Sequence, residues 1–155
     1  MNLSKQIATN FRTVYFGDNW TDVNCKDSLA GVSWEQATRQ IYNCNSIATL
    51  VFHMNYYVSR VLKMFQGQPF EAHDNNAFNT PPIKSEADWQ KLLDQFWSDA
   101  EAFAKEIEKL PDSKFEEVFV NEKYGNYYKN IHGIIEHNHY HLGQIVLLKK
   151  IMAQL

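Results

Sequence analysis

The residues best suited to chemistry lie close together near the C-terminal end, in the run His137-Asn138-His139-Tyr140-His141. On a helix, His137 and His141 stand four apart, and their side chains leave one face with Cβ atoms roughly 6 Å from each other. Two imidazoles at that separation can hold one divalent metal ion, the geometry used by helical zinc motifs. His139 points to nearly the opposite side and aligns with His132, seven residues earlier. A bare pair of histidines four apart recurs by chance, so a third ligand is needed to make it a site. The competing reading is structural: partly buried histidines hydrogen-bonded to the backbone or to tyrosine.

The elements that must position the pair follow from the apolar pattern. From Tyr127 to Met152 there is no proline, and Ile131, Ile134, Ile135, Leu142, Ile145, Leu148 and Met152 recur three and four apart. That is helical spacing over far more residues than a strand uses. Ile134 and Ile145 are the i−3 and i+4 neighbours of His137 and His141, so the two histidines border the buried stripe.

Three more stretches carry the same period. Leu3 to Phe16 presents Ile7, Phe11, Val14 and Tyr15; about Ser46 to Gln66 presents a stripe from Ile47 to Phe65; Ser85 to Leu110 presents Trp89, Leu93, Phe96, Phe103 and Ile107. Four such stripes bury one another most simply in an all-α, up-and-down four-helix bundle, expected here as one domain over residues 1–155. Ser33 to Gln36 has the capping-box pattern of a short helical turn. Trp20 to Val32 reads as a loop whose tryptophan must pack, and Phe115 to Tyr124 as a short extended segment. The connection from Gly67 to Pro82 is long for a structureless loop and is expected to pack over the bundle or over a site.

Bundles build metal sites from inward side chains on facing helices. His53 borders the stripe of the second long helix, about 12 Å along its axis, while His137 and His141 lie roughly 16 and 22 Å along theirs. Depth therefore permits these three to meet. Three histidines leave a coordination position open, as catalytic sites do.

Two of these segments resemble signatures of the DinB/YfiT-like family. Asn45-Ser46-Ile47-Ala48-Thr49-Leu50-Val51-Phe52-His53 is similar to its second-helix motif. Ile134 to Ile145, with its histidine pair followed by Gly143-Gln144-Ile145, is similar to its fourth-helix motif. The resemblance implies a four-helix bundle of unusual handedness and one divalent ion, zinc or nickel, held by His53, His137 and His141. It also implies a metal-dependent transferase or hydrolase, with a bacillithiol-type thiol S-transferase foremost and a non-catalytic metal-binding bundle as the alternative. A low-molecular-weight thiol is the implied cosubstrate.

Around that trio, Gln144, three residues after His141, is a candidate to orient a ligand from outside the coordination sphere. Glu136 and Asn138 are further candidates, although Glu136 sits about 100° round the helix from His137. Asn55 and Asn138 read as helix-surface amides, Gly143 as a point of close helix approach, and His73 as an exposed loop residue. His132 and His139 read as surface or homodimer-face residues, and the four tryptophans as core. Cys25 and Cys44 form no CxxC pattern and are expected as free thiols.

Composition narrows the partners. A formal charge of −3 without basic runs argues against nucleic acid, whose binding depends on phosphate neutralisation. No apolar run reaches the ~18 residues of a membrane span, and the first residues lack a signal-peptide core. A cytoplasmic location and a small-molecule substrate are the expectations.

Overall fold

The structure, a computed structural model, describes residues 2–155. Its four long helices are α1 (Leu3–Phe16), α4 (Ile47–Phe65), α5 (Glu86–Lys109) and α6 (Tyr127–Met152). Two short ones, α2 (Cys25–Leu29) and α3 (Trp34–Thr38), lie between the first two. Among the described residues there is no β-strand, and the bundle expected from the four stripes is present.

Each long helix starts where a side chain can take its free backbone N–H groups. Asn2, Ser46, Ser85 and Asn126 accept from the backbone N–H three residues on. In α1 the Asp112 carboxylate, from the turn after α5, also accepts from the N–H groups of Leu3 and Ser4. That contact places the C-terminal end of α5 beside the start of α1, so these two run antiparallel.

The remaining directions follow from similar pairs. Asn55 meets Asp99, and Phe65 stacks on Phe103, so α4 and α5 run the same way. Phe65 also stacks on Tyr127, and His53 meets His137, so α4 and α6 are antiparallel. The bundle does not alternate strictly up and down as expected: in chain order the long helices run up, down, down, up, and residues 66–85 form the crossover that two parallel neighbours require. Packing neighbours are α1 with α5, α5 with α4, α4 with α6 and α6 with α1. This arrangement brings the second and fourth stripes face to face.

The core between α1 and α5 is aromatic-rich. Phe11, Tyr15, Phe96 and Phe103 are fully buried, with Phe11 packed against Tyr15 and edge-on to Phe103. Trp89 is fully buried, and its indole N–H donates to the Val32 carbonyl at 2.8 Å, fastening the segment before α3 to α5. Trp34 and Trp97 are half-buried against the core.

Two local expectations are corrected. Residues 20–32 are not one loop: Asn24 accepts from the Asp27 N–H and opens α2, which buries Cys25 and Leu29. Trp20 does not pack; it is 100% exposed. Residues 115–124 are not a strand either. A helical turn at Asp112–Glu116 precedes one isolated bridge between Val118 and Asn126, and a second turn at Glu122–Tyr124 lies in the loop that the bridge closes.

Between α1 and α5, Arg12 presents its fork to both oxygens of Glu101, at 3.0 and 3.1 Å, and also reaches Glu108. All three groups are partly exposed, so solvent screens the attraction. Arg12→Ala is expected to cost about 1 kcal/mol, a fall in Tm of about 2–4 °C, checked by thermal denaturation.

Candidate metal centre

α4 and α6 bring His53, His137 and His141 together, with their candidate ligand nitrogens all within 4.8 Å of one another. His137 is central: its Nε2 lies 2.9 Å from Nε2 of His53 and 3.1 Å from Nε2 of His141. His53 and His141 are buried, and His137 is half-buried.

Partners on the far side of two of the rings, His53 and His141, fix their tautomers. His53 Nδ1 faces the Ala77 carbonyl at 3.1 Å, and a carbonyl can only accept, so that nitrogen carries the proton. His141 Nδ1 faces Gln144 Oε1 at 2.7 Å and is likewise the donor. Both Nε2 atoms then present bare lone pairs towards His137. One proton on His137 Nε2 can satisfy only one of them. A divalent cation at the centre satisfies all three, and nitrogens about 2.1 Å from one ion stand roughly 3.4 Å apart, close to the spacing seen. The donor set therefore fits a metal ion.

Electrostatics agree with neutral, metal-ready rings. Burial pushes His137 down to about 4, helped by the neighbouring His141 and His53 and opposed by Asn138. Burial also lowers His53, against the Ala77 carbonyl and Asp74, which favour its charged form. Three imidazolium ions packed this closely would repel one another.

Of the surrounding candidates, Gln144 is where it was expected. Glu136 is not: it is exposed and lies 3.6 Å from His132 Nε2, which occupies another face of α6. Asn138 is no surface amide but fully buried, donating to the Tyr15 hydroxyl at 2.9 Å across the bundle. Its Oδ1 and the Nδ1 of His137 are both buried without a hydrogen-bond partner. Asn138→Ala would strand the Tyr15 hydroxyl in the core. The expected cost is about 1–3 kcal/mol by denaturant titration.

His73 is exposed, as expected, whereas His139 is half-buried and His132 stacks on Tyr128. Gly143 does not serve helix contact: it is exposed, and a Cβ there would meet nothing within 4 Å.

Several neighbours carried no signal as site residues. The crossover folds over the histidines, where Phe78 stacks on the His53 ring at 3.8 Å and 11°. Tyr57 stands edge-on to both His53 and His137, with its hydroxyl donating to Asp74 at 2.8 Å. Tyr140 stands edge-on to His141. Tyr57 falls at helical spacing within the stripe from Ile47 to Phe65, so period marks it as a core residue, and a backbone carbonyl such as that of Ala77 has no sequence signature.

The family model described as the DinB superfamily matches residues 26–145, more than half of the chain. The chain belongs to the DinB superfamily. No curated protein and no solved structure matches it. The DinB superfamily match spans α2 to most of α6 and so takes in all three histidines. Among the described residues, no helix is long and apolar enough to cross a membrane.

Proposed function

We propose that this DinB superfamily chain is a divalent-metal-dependent S-transferase, with His53, His137 and His141 holding zinc or nickel and a small thiol of the bacillithiol kind as cosubstrate. The observation that carries the reading is the convergence of three ring nitrogens, two of them with lone pairs fixed by acceptors behind their rings. Zinc and nickel both suit imidazole donors. A divalent ion held there supplies Lewis acidity, which keeps a thiol ligand as thiolate at neutral pH.

The protein's own residues do the rest. Ala77 and Gln144 hold the rings, while Phe78, Tyr57 and Tyr140 provide aromatic walls for an apolar electrophile. Burial pushes Tyr57 up to about 12, so it stays a neutral phenol donating to Asp74. The nucleophile must come from outside. Cys25 is buried, which raises its thiol pKa far above the ordinary range, and Cys44 lies exposed in the turn before α4.

Hydrolysis by activated water is the weaker alternative because it needs a base, and Glu136 faces His132 instead. Burial of His53 beneath Phe78 favours a third reading, a sealed, non-catalytic metal centre. One assay separates the three: a chloro-nitroaromatic or epoxide is supplied with and without bacillithiol. In the transferase, the thiolate sulfur bonds to carbon; from the aryl chloride, chloride departs, and in the epoxide one C–O bond breaks while the oxygen stays on the neighbouring carbon and takes a proton from water. Turnover is expected only with metal and thiol together, and lost in His137→Ala. Hydrolysis without thiol would install the alternative, and no reaction by metal-loaded protein would install the sealed centre.

A further inference from the structure

Trp20 is the most exposed large apolar side chain among the described residues, at 100%. It stands at the tip of the loop 17–23, in a turn that the Asp22 N–H closes on the Asn19 carbonyl at 3.2 Å. The Asn19 side chain pins this loop. Its Nδ2 donates to the Thr13 and Val23 carbonyls, both at 2.8 Å, and its Oδ1 accepts from the Thr21 N–H at 2.9 Å. Asp18 and Asp22, on either side of Trp20, hold φ angles of 71° and 54°, a region that residues other than glycine seldom occupy unless their surroundings enforce it. The loop is therefore built, and it holds the indole in water.

Four residues before Trp20, Phe16 edges a cleft of about 620 Å³ between α2, the segment leading to Ser33, and α5. Leu29, Val32 and Trp89 form its buried floor. At its rim Phe16, 40% exposed, stands 6.0 Å from half-buried Trp97. Lys26 is exposed on the lining, and among the described residues it pairs with no carboxylate. Asp18 and Asp22 are exposed and equally without a cation. The lining's one carboxylate, Glu86, accepts from the Trp34 N–H through Oε2 at 3.0 Å, which leaves Oε1 to take an indole N–H.

We propose that two copies of this chain associate about a twofold axis beside the loop 17–23, each Trp20 seated in the cleft of the other. The chain supplies both halves of the contact: an aromatic anchor flanked by two carboxylates, and an aromatic-edged cleft with a free ammonium. Anchor and cleft lie side by side, so one twofold axis makes both insertions at once. The pinned loop keeps Trp20 out of its own cleft. Two buried indoles and the surface they cover amount to roughly 600–1,000 Å², below a standard interface, so the dimer belongs to the weak, reversible class. This face is formed by the end of α1, α2 and α5, not by His132 or His139 on α6, and the association is independent of the metal centre.

Sedimentation equilibrium from about 1 μM to about 1 mM tests it, on protein with and without chelator. The native chain is expected to pass from monomer to dimer with Kd on the order of 10–100 μM in both conditions. Tryptophan emission should shift to shorter wavelength over the same range, as Trp20 leaves water. Trp20→Ala removes both insertions and should weaken association at least about 100-fold; its side chain touches nothing in the monomer, so the fold is retained. Lys26→Glu should weaken association about tenfold. Ala30→Trp, at an exposed position on the lining, fills the cleft and should leave only monomer. Trp20→Ala and Ala30→Trp chains mixed together retain one insertion, and should associate more tightly than either alone. A native chain that stays monomeric to about 1 mM would overturn the proposal. So would a dimer that survives Trp20→Ala or Ala30→Trp, a dimer lost on chelation, or an emission shift without a change in mass, which would put Trp20 in its own cleft.

Discussion

Replacing His137 with alanine is expected to lower affinity for a divalent ion by more than about 100-fold, the largest effect of any single change in the chain. His137 Nε2 lies between the other two ring nitrogens, so its removal leaves two imidazoles without their common neighbour. His53→Ala and His141→Ala should approach the same loss. Gln144→Ala should fall short of it, because Gln144 holds His141 in its tautomer without touching the ion. Partners at that remove typically contribute about 10–100-fold to affinity. His73→Ala, His132→Ala and His139→Ala should bind as the native chain does, since none belongs to the cluster. Competition against a chromophoric chelator measures all seven variants on one scale. An unchanged affinity in His137→Ala would remove the metal centre altogether.

The histidine trio was legible because helical period leaves a trace in sequence. Ile134 and Ile145 placed His137 and His141 at the edge of a buried stripe, and the stripe from Ile47 to Phe65 did the same for His53. What period cannot carry is the path of the chain between helices. The order α1, α5, α4, α6 around the bundle depends on the crossover, and the crossover also sets Ala77 and Phe78 over His53.

Polar residues inside the bundle were misread for a related reason. Asn55 and Asn138 look like surface amides until their partners are known. Those partners, Asp99 and Tyr15, lie 44 and 123 residues away in sequence. Trp20 failed in the opposite direction: its apolar bulk argues for burial, yet the loop that bears it turns outward. Asn24 was a cap hidden in a polar run, and it starts a helix too short to show a period.

Acid should weaken the fold of the metal-free chain, and it should cancel the stabilisation that metal provides. His137 is pushed down to about 4, first by burial and then by His141 and His53, and burial lowers His53 as well. In the unfolded chain a histidine titrates near ~6.5. Between those values the unfolded state binds more protons than the folded one, so stability rises with pH. The contribution of these rings is therefore complete above about pH 6.5 and is lost as pH falls towards about 4, an effect of about 1–3 kcal/mol without metal. A divalent ion binds only the neutral rings and competes with the same protons. At about a thousandfold excess over Kd it adds about 4 kcal/mol. Excess chelator at pH 7.5 should thus lower Tm by roughly 8–16 °C, and at pH 5 by much less. Helical circular dichroism at room temperature should survive chelation, because the aromatic core formed by α1 and α5 is built without the histidines. Scanning calorimetry with and without chelator across pH 4–8 decides the matter. A chelator effect as large at pH 5 as at pH 7.5 would mean that the stabilising ion is not held by these imidazoles.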